Sequence, residues 1–328
     1  MAAENMKILI TGATGKVGRR LIDHLRSHER FGKASLRALC HNRTIEGLEV
    51  VKGSIADRDC ARAALKDVTH VVHLATCKET PEDVMDVTVK GLFWLLEEFR
   101  ESPAARQFIL IGGDAAIGHF FYDHGGPVTE QTPHRAYPGC YALSKVLEEV
   151  MLFQYAIQYR SNVCCLRAPW IMEKDDFKYS LSFGDDVFGG PVWKDLVPPE
   201  KARHYAQAGT VPLLLDGGGR PLKRNFVHVD DLVSAIGLAL DNPQARGKLF
   251  NVCMDEPVDY GAVADHLARN YGLASVRIPS SYCSNWMDNA AAKFALGWRP
   301  HYDLARLIDA AWQYRRPASE PRKIWYPG

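Results

Sequence analysis

The apolar residues of the first half of the chain fall into short continuous runs separated by stretches of helical spacing. Lys7-Ile8-Leu9-Ile10 is short and apolar throughout, which predicts a strand buried on both faces. Residues 19–28 follow, with Leu21, Ile22 and Leu25 on one helical face. Leu36-Arg37-Ala38-Leu39 reads as the next strand, and the alternation continues to about Trp170. The clearest helices span 85–100 and 144–159, and Tyr137-Pro138-Gly139 punctuates the loop before the second. Such alternation predicts an α/β fold, a doubly wound parallel sheet with helices on both faces.

The texture changes after Trp170. Residues 173–224 are rich in Gly, Pro, Asp and aromatics and carry little sustained periodicity. Sheet-like patterning returns at 226–240 and 249–252. The expected division is a larger domain over 1–172, with returning segments at about 226–253, and a smaller, discontinuous C-terminal lobe from 173–225 and 254–328. Gly217-Gly218-Gly219 precedes Pro221 and no helical pattern, so it reads as a turn.

With 328 residues, 47% of them hydrophobic, the chain can bury one large core or two closely packed ones. Its 40 basic and 39 acidic residues leave a net charge of +1. No large basic face follows, so no nucleic-acid partner is expected. No apolar run is long enough to cross a bilayer. Met1 to Asn5 include an acidic residue and no apolar stretch, unlike a signal peptide. The eight cysteines form no Cys-x-x-Cys pair, and Cys164 and Cys165 should face opposite sides of a strand. Reduced thiols and a cytoplasmic location are the expectation. The twelve histidines include no His-Glu-x-x-His, so no metal is expected.

Two motifs carry chemistry. Thr11-Gly12-Ala13-Thr14-Gly15-Lys16-Val17-Gly18 lies between a predicted strand and a predicted helix, the context a dinucleotide-binding loop requires. Gly12 permits the turn, Gly15 lets backbone approach a pyrophosphate, and Gly18 lets helix and strand pack closely. The helix N-terminus offers free N–H groups to phosphates. Tyr141 and Lys145 stand four residues apart, one helical turn. Alone, such a pair is common on amphipathic helices. Downstream of a dinucleotide loop, it suggests that Lys145 lowers the pKa of Tyr141 from its usual ~10. Tyr141 could then take the proton of a substrate hydroxyl while hydride leaves its carbon.

The Gly-x-x-Gly-x-x-Gly spacing resembles the extended branch of the short-chain dehydrogenase/reductase superfamily, the NAD-dependent epimerase/dehydratase family of sugar-nucleotide enzymes. The resemblance runs nearly end to end. Val71-Val72-His73-Leu74-Ala75 looks like the family's fourth strand, Phe108-Ile109-Leu110-Ile111 its fifth, and Leu166-Arg167-Ala168-Pro169 its sixth. Arg224-Asn225-Phe226-Val227-His228-Val229-Asp230-Asp231 looks like the segment closing the substrate pocket, and Leu296-Gly297-Trp298-Arg299-Pro300 the C-terminal signature. The resemblance implies a Rossmann-type domain, a substrate-binding second lobe, and Tyr141 and Lys145 as the catalytic pair. It implies cofactor contacts from Gly12, Thr14, Gly15, Lys16, Val17, Gly18, Ser54, Ile55, Leu74, Ala75, Thr76, Lys78, Tyr141, Lys145 and Pro169. Lys78 matches a lysine that reaches the cofactor phosphates, although a plain loop charge fits as well. Helices 85–100 and 144–159 occupy the family's dimer bundle, which leaves room for a homodimer.

The departures matter as much. The family's Ser or Thr at the end of the fifth strand falls on Gly113, which has no hydroxyl. The dehydratases carry Thr-Asp-Glu here. Asp114 matches their Asp, but Ala115 replaces their Glu base. Three accounts stay open: Asp114 or a water held by the Gly113 backbone takes over, a substrate group does so, or catalysis has been lost and binding kept. Asp114 could equally just cap the turn. After the second strand, where an NAD enzyme places an acid, stands Cys40, followed by His41 and Arg43. That favours NADP slightly over NAD, unless Arg43 is only a solvated loop residue. Arg224 matches an arginine that grips a diphosphate and would suit a sugar acid equally. With Gly113, His119 and Trp170 it forms the expected substrate set. The expected reaction is hydride transfer at a hydroxyl or keto carbon of a sugar, sugar nucleotide or sugar acid. An NADPH-dependent carbonyl reductase and a catalytically impaired dinucleotide sensor are the alternatives.

Overall fold

A computed structural model of the chain describes residues 6–77, 80–186 and 190–320. Lys78 lies outside the described residues. The first half runs β1 (Lys7–Thr11), α1 (Lys16–Ser27), β2 (Ser35–Cys40), β3 (Glu49–Lys52), α2 (Arg58–Leu65), β4 (His70–His73), α3 (Pro81–Asp83), α4 (Gly91–Glu101), β5 (Gln107–Gly113), α5 (Cys140–Tyr159) and β6 (Val163–Ala168). The second half runs β7 (Trp170–Met172), α6 (Asp176–Tyr179), α7 (Pro199–Ala208), β8 (Val211–Leu214), β9 (Lys223–Arg224), β10 (Phe226–His228), α8 (Val229–Ala239), β11 (Lys248–Asn251), β12 (Val258–Asp259), α9 (Tyr260–Tyr271), β13 (Ser275–Ile278), α10 (Ala290–Leu296) and α11 (Leu304–Gln313).

Seven strands form one sheet in the order β11-β6-β5-β4-β1-β2-β3, every neighbouring pair parallel. The fold is therefore the Rossmann-type α/β arrangement read from the sequence. The inner strands β1, β4, β5 and β6 are buried almost throughout, which is why they appear as largely apolar runs. Leu21, Ile22 and Leu25 of α1 pack one face with Leu232 and Ile236 of α8. Leu92, Leu95 and Leu96 of α4 and Leu152 of α5 cover the other. Strand order reverses between β1 and β4, and ligands of open α/β sheets bind outside the strand ends at such a point.

A second core joins Phe177, Leu181, Trp193 and Leu214 from residues before β9 to Val258, Tyr260, Leu307 and Trp312 from residues after β11. β8 pairs with β13, and β9 with β12. Helix α7 and strand β8 lie in the stretch that shows little periodicity in sequence. α7 is short and half exposed, burying only Ala202, so it leaves no apolar stripe to read. Gly217–Gly219 is a turn with Gly219 at φ +76°. Between α3 and α4 the helix widens into a π-helical stretch, Val84–Lys90, where the sequence predicts continuous α-helix. There Thr88 is buried, and its Oγ1 accepts a hydrogen bond from Cys77 N at 2.9 Å. No described helix is long and apolar enough to cross a membrane. Among the described residues no cluster of His, Cys, Asp or Glu could hold a metal ion.

Candidate active site

A cavity of about 370 Å³ opens at the carboxyl ends of β1, β4 and β5 and is bordered across the cleft by residues of the second core's side. On one wall, Gly12 takes φ +65°, and a Cβ there would stand 2.9 Å from the Leu74 carbonyl carbon. A Cβ at Gly18 would stand 2.4 Å from Gly12 O and 2.6 Å from Ala13 Cα. Only glycine lets α1 start this close to β1. α1 begins at Lys16, three residues before the helix read from the sequence at residue 19, so Lys16 and Val17 form its first turn. This cradle, open at a helix N-terminus, fits a dinucleotide pyrophosphate.

Thr11 ties the two loops of this wall together. Its Oγ1 accepts hydrogen bonds from Leu74 N and Ala75 N, both at 3.1 Å. It also lies 2.8 Å from His73 Nδ1. Burial pushes the pKa of His73 down to about 3, so the imidazole stays neutral. Thr11 and His73 were not singled out from the sequence. Their only signal was a position at the ends of neighbouring strands.

The opposite wall carries the chemistry. Tyr141 and Lys145 lie in the first two turns of α5, which begins at Cys140. Lys145 Nζ is 5.6 Å from the Tyr141 ring centre. Lys145 is 4% exposed, and its Nζ lies 2.7 Å from Oε2 of Glu148, which is fully buried. Burial, the largest single influence, pulls the Lys145 pKa down, but Glu148, Tyr141 and Cys165 together outweigh it and the net shift is upward. Glu149, next on the helix, is held below the carboxylate range despite burial by Arg167 and His134. Glu148 was not expected from the sequence, because an acid three residues past Lys145 reads as an exposed helical charge.

Gly113 ends β5 in extended conformation. A Cβ there would meet only the aliphatic carbons of Lys145, at 3.6 to 3.8 Å. Space therefore does not exclude a hydroxyl at Gly113. Gly112 points the other way, where a Cβ would stand 2.9 Å from Cys165 Sγ.

Gly113 holds the N-cap of the short helical turn that follows, and the Asp114 carbonyl accepts from Gly118 N and His119 N. The Asp114 carboxylate bonds His119 Nδ1, and His119 Nε2 lies 2.9 Å from Arg224 Nη2. Arginine can only donate, so His119 accepts at Nε2 and donates at Nδ1. Burial lowers the His119 pKa against the pull of Asp114, in keeping with that neutral form. Arg224 is 5% exposed. Its guanidinium carbon lies 4.0 Å from the Trp170 ring centre and 4.5 Å from that of Phe120. Nη1 donates to Gly190 O at 3.2 Å.

The cavity therefore gathers Gly12, Gly15, Lys16, Val17, Gly18, Leu74, Thr76, Gly113, Asp114, His119, Tyr141, Lys145, Pro169, Trp170 and Arg224. Lys16 Nζ reaches across the cleft to Ile171 O at 3.0 Å and to Asp176. Other expected contacts stand apart. Thr14 is at the loop apex, where its carbonyl accepts from Arg19. His41 and Arg43 are exposed past the end of β2, away from the cavity. Ser54 Oγ binds Ala56 N, and the Ile55 side chain is buried against α4 rather than offered to a ligand.

Residues 8–172 match the NAD-dependent epimerase/dehydratase family. The chain belongs to that family. It is 20% identical over 265 residues to a bifunctional dihydroflavonol 4-reductase/flavanone 4-reductase of Malus domestica, covering 76% of this chain and 72% of the relative. It is 26% identical to a UDP-glucose 4-epimerase of Mycolicibacterium smegmatis, covering 96% of this chain and all of that one. The fold also matches a crystal structure of a short-chain dehydrogenase/reductase superfamily protein of Agrobacterium tumefaciens with bound NAD. There the TM-score is 0.79 and the identity 24%, over 94% of this chain and 96% of the other.

Proposed function

We propose that this family member is an NAD(P)-dependent oxidoreductase that moves a hydride to or from a carbon bearing a hydroxyl or keto oxygen, with Tyr141 as the acid/base. The observation that carries the reading is a shared cavity: the glycine cradle, Tyr141 and Lys145 all border it. Gly12, Gly15 and Gly18 would hold the pyrophosphate, and Leu74, Thr76 and Pro169 would flank the nicotinamide end. A bound nicotinamide supplies the hydride donor or acceptor. The Tyr141 hydroxyl gives or takes the proton at the substrate oxygen. Lys145, kept charged beside Glu148, orients it. Asp114 acts through His119 rather than on the substrate, so it is a positioning residue. Gly113 leaves the substrate oxygen without a second hydroxyl.

The carbonyl-reductase direction is the one the aromatic lining favours, and the reductase relative carries the same chemistry in its name. Epimerisation of a sugar derivative is the second reading, favoured by the likeness to UDP-glucose 4-epimerase over the whole chain. NADP is favoured over NAD because no acid follows β2 and Arg43 stands exposed there. The exposed stripe Leu143, Val150 and Ile157 on α5, spaced by seven residues, with Met85 and Phe93 nearby in sequence to α4, supports a homodimer.

The test is Tyr141→Phe. Turnover should fall by ~10²-fold or more, with dinucleotide affinity by calorimetry unchanged. A fully active variant removes the acid/base role. Absence of binding heat with all four oxidised and reduced dinucleotides removes the whole reading.

A further inference from the structure

The substrate half of the cleft is walled by rings. Phe120 and Phe121 stack at 5.0 Å and 14°, and Phe121 stacks on Tyr137 at 4.7 Å and 27°. Tyr282 meets Phe120 edge-on at 4.4 Å. Trp170 closes the far side, nearly parallel to Phe226 at 26°. All but Phe226 border the cavity. Rings at these separations present flat apolar surface against which a ligand ring can pack offset or edge-on. Phe121 is 38% exposed, a large apolar surface left at the cavity mouth.

Arg224 is the natural anchor for a phosphate, yet it is not presented as one. Bidentate recognition needs an open guanidinium fork. Here the rings of Trp170 and Phe120 pack over the guanidinium, at 4.0 and 4.5 Å. Both terminal nitrogens already donate inside the protein, to Gly190 O and His119 Nε2. Its charge is answered at one remove by Asp114 through His119. The contacts to Gly190 and His119 engage both ends of the fork, while Nε is buried without a hydrogen-bond partner among the described residues. The cavity of about 370 Å³ must also admit the nicotinamide end, since Gly12, Gly15 and Leu74 border it as well. Pockets at the low end of the usual ~300–1,000 Å³ range suit compact ligands.

We propose that the substrate is a compact aryl ketone, or the matching benzylic alcohol, and not a nucleotide sugar. The inference rests on the hydride-transfer reading above and names its substrate class. The ring of the substrate packs against Phe121 and Trp170 while its keto oxygen faces Tyr141. In the reducing direction the keto carbon gains the hydride of NAD(P)H and its oxygen gains the Tyr141 proton. The products are the secondary alcohol and NAD(P)⁺, and solvent reprotonates Tyr141.

The experiment has three arms on the full-length protein. Calorimetry with NADPH and NADH comes first, and no binding there overturns the hydride-transfer reading itself. The second arm follows loss of reduced-dinucleotide absorbance with acetophenone and propiophenone, and tests UDP-glucose and UDP-glucuronate by ligand-observed NMR with the dinucleotide present. Saturable reduction of the aryl ketones, with no binding of either UDP-sugar, is the expected result. Binding of a UDP-sugar, or inert aryl ketones on a dinucleotide-loaded protein, overturns the substrate class and leaves the hydride reading standing. The third arm compares Phe121→Ala and Trp170→Leu. Each should raise the KM for the aryl ketone about tenfold while dinucleotide affinity stays unchanged. Phe121 is partly exposed, so its variant should fold even if the Trp170 variant does not. An unchanged KM in Phe121→Ala overturns the ring-packing argument.

Discussion

The wall of the cleft formed by the loops after β1 and β4 is built from backbone and small residues. The facing wall, from β5, α5 and the β9 segment, is built from buried ionisable and aromatic side chains. On the first, Gly12, Gly15 and Gly18 let main chain approach main chain, and Thr11 and His73 fasten the loops. On the second, Lys145–Glu148, Glu149–Arg167 and Asp114–His119–Arg224 bury charge against charge. The first wall tolerates almost no added atom. The second has room at Gly113 but depends on which groups are charged. A cofactor common to a whole family can be held by main-chain geometry, whereas proton chemistry and substrate choice need side chains that vary.

The sharpest way to break the comparison is Gly18→Val. Its Cβ would stand 2.4 Å from backbone, and the loss should be about 3 kcal/mol of stability together with all dinucleotide binding. Thermal unfolding and calorimetry read the two losses. A variant that binds normally would show that the cradle can relax, and the contrast with the other wall would fail.

On the charged wall, Glu148→Gln keeps the shape and removes the charge. Without that carboxylate, burial acts against only Tyr141 and Cys165, and the Lys145 pKa should fall. The stabilisation from a raised lysine pKa is fully present below the unfolded value and is lost as pH rises through the folded one. The alkaline limbs of activity and of unfolding should therefore both move to lower pH. Superimposable profiles would mean that Glu148 does not set the charge of Lys145. The groups sharing this surrounding with Lys145 are Tyr141, Cys165 and His73, and none of them is altered by the change.

A milder change is Arg43→Ser at the exposed end of β2. It should weaken NADP several-fold and leave NAD alone, because an exposed ion pair is screened and worth roughly 1 kcal/mol. Equal losses for both dinucleotides would remove the case for a 2′-phosphate contact. Gly113→Ser should be the gentlest. The nearest atoms to its Cβ are flexible lysine carbons at 3.6 Å or more, so stability should stay within about 0.5 kcal/mol. Turnover should rise modestly if the missing hydroxyl is what limits the proton step. A large loss of stability would show that the second wall is as tightly fitted as the first.

The sequence by itself determined the first wall. A glycine loop after an apolar strand encodes its own geometry, because the backbone conformations and close approaches it needs are open only to glycine and are local in the chain. The pairing of Tyr141 with Lys145 was legible for the same reason, since four residues on a helix make one face. The parallel sheet followed from apolar runs buried on both sides and alternating with helical spacing. What only the tertiary structure decided is the company these residues keep. Glu148 looks like a surface charge until α5 packs it inward against the cleft. Asp114, His119 and Arg224 are up to 110 residues apart in the chain and become one hydrogen-bonded line only when β9 is brought to the end of β5. Trp170 and Phe120 come to pack over a single guanidinium in the same way. Long-range contacts of this kind leave no period and no spacing to read, because what selects them is the desolvation of a charge at a place the fold alone creates.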